Sequence, residues 1–110
     1  MIRDPEMLDQ LLSTIRDFVK NELVPLEHEV EENNAIPEHI VEQMKELGLF
    51  GLTIPEEYGG LGITMEEEIL VAMELGHTSA AFRSLIGTNN GIGSSGIIID
   101  GTEEQKQKYL

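Results

Sequence analysis

The stretch Gly91-Ile-Gly-Ser-Ser-Gly96 has the G-x-G-x-x-G spacing that, between a strand and a helix, seats a dinucleotide pyrophosphate on helix N-terminal amides. Its context argues against that chemistry. The preceding residues, Phe82 to Asn90, are not the β-branched run of a buried strand, and too little sequence follows to supply a ribose-binding acid. Each glycine costs a helix about 1 kcal/mol relative to alanine, so the cluster implies close approach of a neighbouring helix or a ligand. Ser94 and Ser95 lie among the glycines, but Gly93-Ser-Ser-Gly96 is not G-x-S-x-G, and no nucleophile is assigned. His28, His39 and His77 stand far apart, without H-E-x-x-H or comparable ligand spacing, so no metal site is assigned either. Glu31-Glu32, Glu56-Glu57 and Glu66 to Glu68 have the chemistry of general bases, yet helix capping and solvation account for them more simply. No catalytic residue is assigned.

Composition narrows the partners. With 21 acidic and 7 basic residues the net charge is −14, which makes DNA, RNA and anionic lipid improbable ligands, because phosphate binding draws on Lys and Arg. No run of apolar residues is long enough to span a bilayer, and Met1-Ile-Arg-Asp-Pro-Glu6 has neither a secretory nor a transit-peptide pattern, so a cytoplasmic location is expected. The absence of cysteine excludes disulfides and thiol catalysis. A length of 110 residues fits one domain with one core.

The elements that position these residues read as helices. From Asp4, the residues Leu8, Leu11, Leu12, Ile15, Phe18, Val19, Leu23, Leu26 and Val30 recur at spacings of three and four, with Asp4 as N-cap and Pro5 at the first helical position. The stripe passes Pro25 in phase, which predicts one kinked helix rather than two. Pro37 opens a second helix through Ile40, Val41, Met44 and Leu47, which Gly48 ends with a positive φ. Residues 48–62 are expected to be an ordered loop with at most one short helical turn, at Pro55. Thr64-Met-Glu-Glu67 is a capping box that starts a third helix, with Ile69, Ala72, Met73 and Gly76 as its expected buried stripe. Ser79 caps a fourth helix through Ala81, Phe82, Leu85 and Ile86, and Thr102-Glu-Glu-Gln105 is a second capping box, opening a helix of about two turns that reads as cut off at Leu110. The pattern implies an all-α, orthogonal or up-down bundle of five to six helices.

Two stretches are too particular for generic connectors: Gly48-Leu-Phe-Gly-Leu-Thr-Ile-Pro-Glu-Glu-Tyr-Gly-Gly-Leu-Gly62 and Gly101-Thr-Glu-Glu-Gln-Lys-Gln-Lys-Tyr-Leu110. Together they resemble the N-terminal helical domain of the acyl-CoA dehydrogenases, flavoenzymes that oxidise acyl-CoA thioesters at the α and β carbons, and the resemblance spans essentially the whole sequence. It implies that residues 1–110 are that domain, with the family's middle β-domain, C-terminal helical domain, catalytic glutamate and flavin-contacting motif lying outside it. FAD is then expected in the full-length parent and none in this piece, which should be redox-inactive alone. The resemblance also implies that the segment from about Ser84 through Gly96 helps wall the acyl pocket. Ser84, Thr88 and Ile92 share one face if helix continues through Gly87 and Gly91, and with Asn90, which matches an asparagine of medium-chain members, they are the expected acyl contacts. Core packing is the competing role for all four. The acidic charge suggests contact with the apolar acyl chain, the CoA phosphates being left to other domains. The parent is expected to be a homo-oligomer that passes electrons to an acceptor partner, and the isolated piece to self-associate through faces that normally meet the other domains. The alternative from a different class is a free-standing acidic helical module that binds a partner protein.

Overall fold

A computed structural model describes all residues 1–110. Asp4 Oδ1 accepts the Met7 amide at 3.1 Å and Pro5 takes the first helical position, so α1 (Pro5–Phe18) starts with one orphan donor satisfied and one donor absent. The helical backbone runs on past Phe18. It widens into a π turn at Val19–Leu23, tightens into a 3₁₀ turn at Val24–Leu26 and resumes as α2 (Glu27–Asn33), which Asn34 ends in the left-handed region. Pro25 explains both adjustments: it has no N–H for the carbonyl four residues back and its ring crowds that turn, so the ladder changes register around it. The unbroken stripe holds, with Leu8, Ile15, Phe18, Val19, Leu23 and Val30 all buried.

Pro37 precedes α3 (Glu38–Glu46), which buries Ile40 and Met44 and ends in Gly48 at φ 79°. Residues 48–62 contain two 3₁₀ turns, Leu49–Gly51 and Glu56–Tyr58, where the sequence suggested at most one. The extra turn follows from Gly48: its left-handed backbone reverses the chain so that Gly51 N reaches Gly48 O, at 3.1 Å. Bonds of 2.9 Å from Leu61 N to Gly51 O, Gly62 N to Ile54 O and Ile63 N to Leu52 O then fold the segment back on itself. Gly60 is where the two limbs cross, and a Cβ there would strike the Ile54 carbonyl.

The Thr64–Glu67 capping box opens α4 (Met65–Leu75) as expected, but the helix turns another face inward. Glu67, Val71 and Leu75 are buried, while Ile69 and Met73 are 55% and 63% exposed. Ile69-Leu-Val-Ala-Met73 is apolar all round, so periodicity cannot set its phase. Packing sets it: Val71 and Leu75 join Ile15, Phe18, Phe82 and Ile86 in the common core, and Glu67, on the same face, turns inward while its Oε1 accepts the Thr64 amide at 2.8 Å. Ser79 caps α5 (Ala80–Thr88), which passes through a second π turn, Asn89–Gly93, into α6 (Ser94–Asp100). The Thr102–Gln105 capping box starts α7 (Glu103–Tyr109).

Counting continuous runs, the fold is five helices, 75% helical and without strands. Their common core joins Ile15, Phe18 and Leu23 to Ile40, Met44, Leu49, Val71, Leu75, Phe82 and Ile86. Arg16 bridges α1 to Glu74 of α4 through both carboxylate oxygens, at 2.6 and 3.3 Å, which lowers the Glu74 pKa. No helix is long and apolar enough to cross a membrane.

Glu67 is fully buried, and the Thr64 amide holds its pKa below the ordinary carboxylate range. Burial opposes that shift, while the Thr64 hydroxyl and the backbone amides of Arg3 and Asp4 reinforce it, although Oε2 closes no full hydrogen bond. A depressed folded value contributes stability above the unfolded pKa, about 4.3 for a glutamate, and loses it as pH falls through the folded value. The urea midpoint should therefore drop as pH falls from about 4.3 through the folded value. It should drop less steeply in Glu67→Gln; equal slopes would contradict this role.

Candidate functional site

The run from Ala80 to Asp100 carries the residues that the sequence singles out, and its two faces differ sharply. Phe82, Ile86, Asn90 and Ser94 are buried; Ser84, Thr88 and Ile92 are exposed on the other side, Ile92 by 87%. Residues four apart drift by about 40° per step in a regular α-helix. The wider π turn at Asn89–Gly93 absorbs that drift, keeping Asn90 and Ser94 on the inward line of Phe82 and Ile86. Helix thus continues through Gly87 and Gly91, the condition on which Ser84, Thr88 and Ile92 share a face.

Asn90 is placed differently from those three. It is 3% exposed, its Oδ1 accepts the Leu52 amide at 2.9 Å and its Nδ2 donates to the Leu49 carbonyl at 2.7 Å. Its side chain is therefore committed to residues 48–62 rather than offered to a ligand. Three neighbours to which the sequence analysis gave no such role join it. Thr53 Oγ1 donates to the Asn90 carbonyl at 2.7 Å, Asn89 Nδ2 to the Phe50 carbonyl, and the Ser94 hydroxyl to the Asn89 carbonyl. The available signal was polarity out of place: Thr53, Asn89 and Asn90 interrupt otherwise apolar or glycine-rich stretches.

The outer face is open. None of the larger cavities is lined by Ser84, Thr88 or Ile92; the largest, a groove of about 970 Å³, lies elsewhere, between α2 and the α4–α5 turn, with Val30, Glu31, Ile36, His77 and Leu85 in its walls. A Cβ built on Gly91 or Gly96 would meet nothing within 4 Å, so packing inside this chain does not require those glycines. At the signature's other limb, Tyr58 donates to Glu103 Oε2 at 2.7 Å; this bond pushes the tyrosine up to about 12 and lowers Glu103, tying the loop to α7.

The Gly91–Gly96 spacing does not fit a dinucleotide. These residues lie inside helix, where their amides serve the helical ladder, and none of the three glycines has the positive φ of a phosphate loop. No step is therefore assigned to a flavin on these residues. No group of three or more His, Asp or Glu side chains is disposed to hold a metal.

A family model described as "Acyl-CoA dehydrogenase, N-terminal domain" matches residues 5–110. The chain belongs to this family. It is 33% identical to an acyl-CoA dehydrogenase of Bacillus subtilis, over 87% of this chain and 25% of that protein. It is 32% identical to a short-chain specific acyl-CoA dehydrogenase of Clostridium acetobutylicum, over 100% of this chain and 28% of that one. Among solved structures it is similar to an acyl-CoA dehydrogenase from Bacillus anthracis complexed with FAD, at a TM-score of 0.79 and 33% identity over 99% of this chain and 19% of that one. A chain from the work on the electron transferring flavoprotein of Acidaminococcus fermentans superposes at a TM-score of 0.84 with 30% identity, over 94% of this chain and 27% of that one. The acyl-CoA dehydrogenase domain described here thus spans about a quarter of the length of the curated relatives it matches.

Replacing Asn90 with alanine strands one buried donor and one buried acceptor, each worth about 1–3 kcal/mol when unpaired. Asn90→Ala should lower stability in urea or thermal unfolding by about 2–4 kcal/mol on that basis, whereas Thr88→Ala on the outer face should stay within about 0.5 kcal/mol. Comparable losses for both would contradict the two-faced reading.

Proposed function

We propose that this domain forms one wall of the acyl-chain site in an FAD-dependent acyl-CoA dehydrogenase, which removes one hydrogen from each of the α and β carbons of an acyl-CoA thioester. Ser84, Thr88 and Ile92 meet the acyl chain from the outer face, and Asn90 supports that face from within. The observation that carries the reading is the uninterrupted helical passage from Ala80 to Asp100, which gathers the three on one exposed face beside the open Gly91. Family membership over residues 5–110 supports it.

In this reading the remainder of a full-length enzyme holds FAD, as the Bacillus anthracis relative does, and supplies the base. The net charge of −14 keeps the CoA phosphates away from this wall. The assembled enzyme is a homo-oligomer that passes its electrons to a flavoprotein acceptor, in line with the Acidaminococcus fermentans similarity. Met65, Ile69 and Met73, exposed at spacings of four along α4, form the face that packs against other parts of the assembly.

Gly91→Ala separates a ligand-facing role from a packing role. The added methyl meets no atom, so it should stabilise the isolated domain by about 0.4–1 kcal/mol. In the full-length enzyme, assayed with acyl-CoA substrates and an artificial electron acceptor, it should raise KM for the better substrates by about ten-fold. A full-length product with no dehydrogenase activity on any acyl-CoA would end the reading and favour an acidic protein-binding module. The isolated 110-residue chain should also self-associate in sedimentation, and the triple change of Met65, Ile69 and Met73 to lysine should render it monomeric. A monomer at high concentration without those changes would refute the assignment of that face.

A further inference from the structure

The π turn at Asn89–Gly93 is the least self-sufficient part of the helical run. It holds two glycines in five residues, and Gly91 has no neighbour within 4 Å of its would-be Cβ, so packing of its own side chains does little to fix its shape. What fixes it comes from outside. Four side-chain hydrogen bonds join the turn to a single segment, Leu49–Thr53: two from the Asn90 carboxamide, one from the Asn89 amide and one from the Thr53 hydroxyl. That segment is stiff, since its backbone is paired to Leu61 and Ile63 at 2.9 Å.

We propose that Thr53 and Asn90 are positioning residues for acyl-chain selectivity: by locking the π turn to the Gly48–Gly62 signature, they set the outline that Thr88 and Ile92 present to the substrate. This inference rests on the acyl-wall function proposed above and adds to it the residues that determine which thioesters fit. The Asn90 ties are buried and the Thr53 tie half-buried, whereas Thr88 and Ile92 are exposed on the outer side, so Thr53 and Asn90 act through backbone register. Register matters because a π turn carries one residue more than the α turn it replaces. Relaxing it by one position would swing Ile92 by about 100° around the helix axis. A swing of that size carries the Ile92 Cα by about 3.5 Å and its side chain further, the length of a few methylenes, so even a partial relaxation alters the depth or width of the wall enough to tell acyl chains of different length or branching apart.

Thr53 offers the cleaner test, because Thr53→Val keeps the shape and removes the hydroxyl, whereas Thr53→Ser keeps the hydroxyl. In the full-length dehydrogenase carrying this domain, kcat and KM are measured across straight and branched acyl-CoA substrates of increasing length. Thr53→Val should change the ratio of kcat/KM between neighbouring chain lengths by about ten-fold, mainly through KM, and Thr53→Ser should restore the original ratio. A uniform fall for all substrates, or a serine variant that behaves like the valine one, would overturn the proposal. The second arm uses the 110-residue chain alone and reads amide chemical shifts. The Thr88, Gly91 and Ile92 amides should move in Thr53→Val and return in Thr53→Ser. Unmoved amides overturn the positioning role even in an active enzyme. Moved amides, with an unaltered full-length enzyme that turns over no acyl-CoA, uphold the mechanical link and reject the acyl-wall function instead.

Discussion

The Leu49 carbonyl and the Leu52 amide belong to buried residues in a segment of short turns, and the Asn90 carboxamide pairs with both. Without that amide the chain would bury a donor and an acceptor unpaired, at about 1–3 kcal/mol each, a large share of the stability of a small domain. The same contact fixes where the long C-terminal run sits. Once Asn90 is held against Leu49 and Leu52, Phe82 and Ile86 fall into the core beside Val71 and Leu75, and Ser84, Thr88 and Ile92 are left outside.

The two helical runs that pass through π turns do so for different reasons with a shared outcome. At Val19–Leu23 the cause is Pro25, which breaks the hydrogen-bond ladder and forces a change of register. At Asn89–Gly93 the cause is a demand from outside: an inward line at spacings of four, with an asparagine that must reach a neighbouring segment. In each case the widened turn keeps the buried line facing inward, apolar at the first and continued by Asn90 and Ser94 at the second, where a regular helix would rotate it away. Charge plays a smaller part in the fold. The acids of α4 stand at its positive N-terminal end, Glu67 closes the cap, and Glu74 pairs with Arg16 across the α1–α4 contact, so several of the carboxylates of this acidic domain have structural tasks.

Much of this was legible in the sequence wherever one local interaction decides the outcome. Asp4 with Pro5, Thr64 with Glu67, Ser79, and Thr102 with Gln105 each mark a helix start through a hydrogen bond within a few residues, and each is found. Gly48 adopts its positive φ, and the Gly48–Gly62 and Gly101–Leu110 stretches point to the family that the comparisons establish. The buried face of α4 was not legible, because Ile69 to Met73 offer an apolar residue in every direction. The second 3₁₀ turn was missed for a similar reason: it depends on a reversal at Gly48 and on bonds to Leu61 and Ile63, ten or more residues along the chain.

The sequence by itself determined the helix starts, the acidic surface and the family, since these follow from residue types and from contacts between residues three or four apart. Only the tertiary structure decided that Asn90 serves the signature segment from inside while Ser84, Thr88 and Ile92 remain outside. A sequence of glycines, serines and asparagines carries no hydrophobic phase to say which side of the helix is buried. That side is chosen by whichever distant backbone groups lack partners, and here they are those of Leu49 and Leu52.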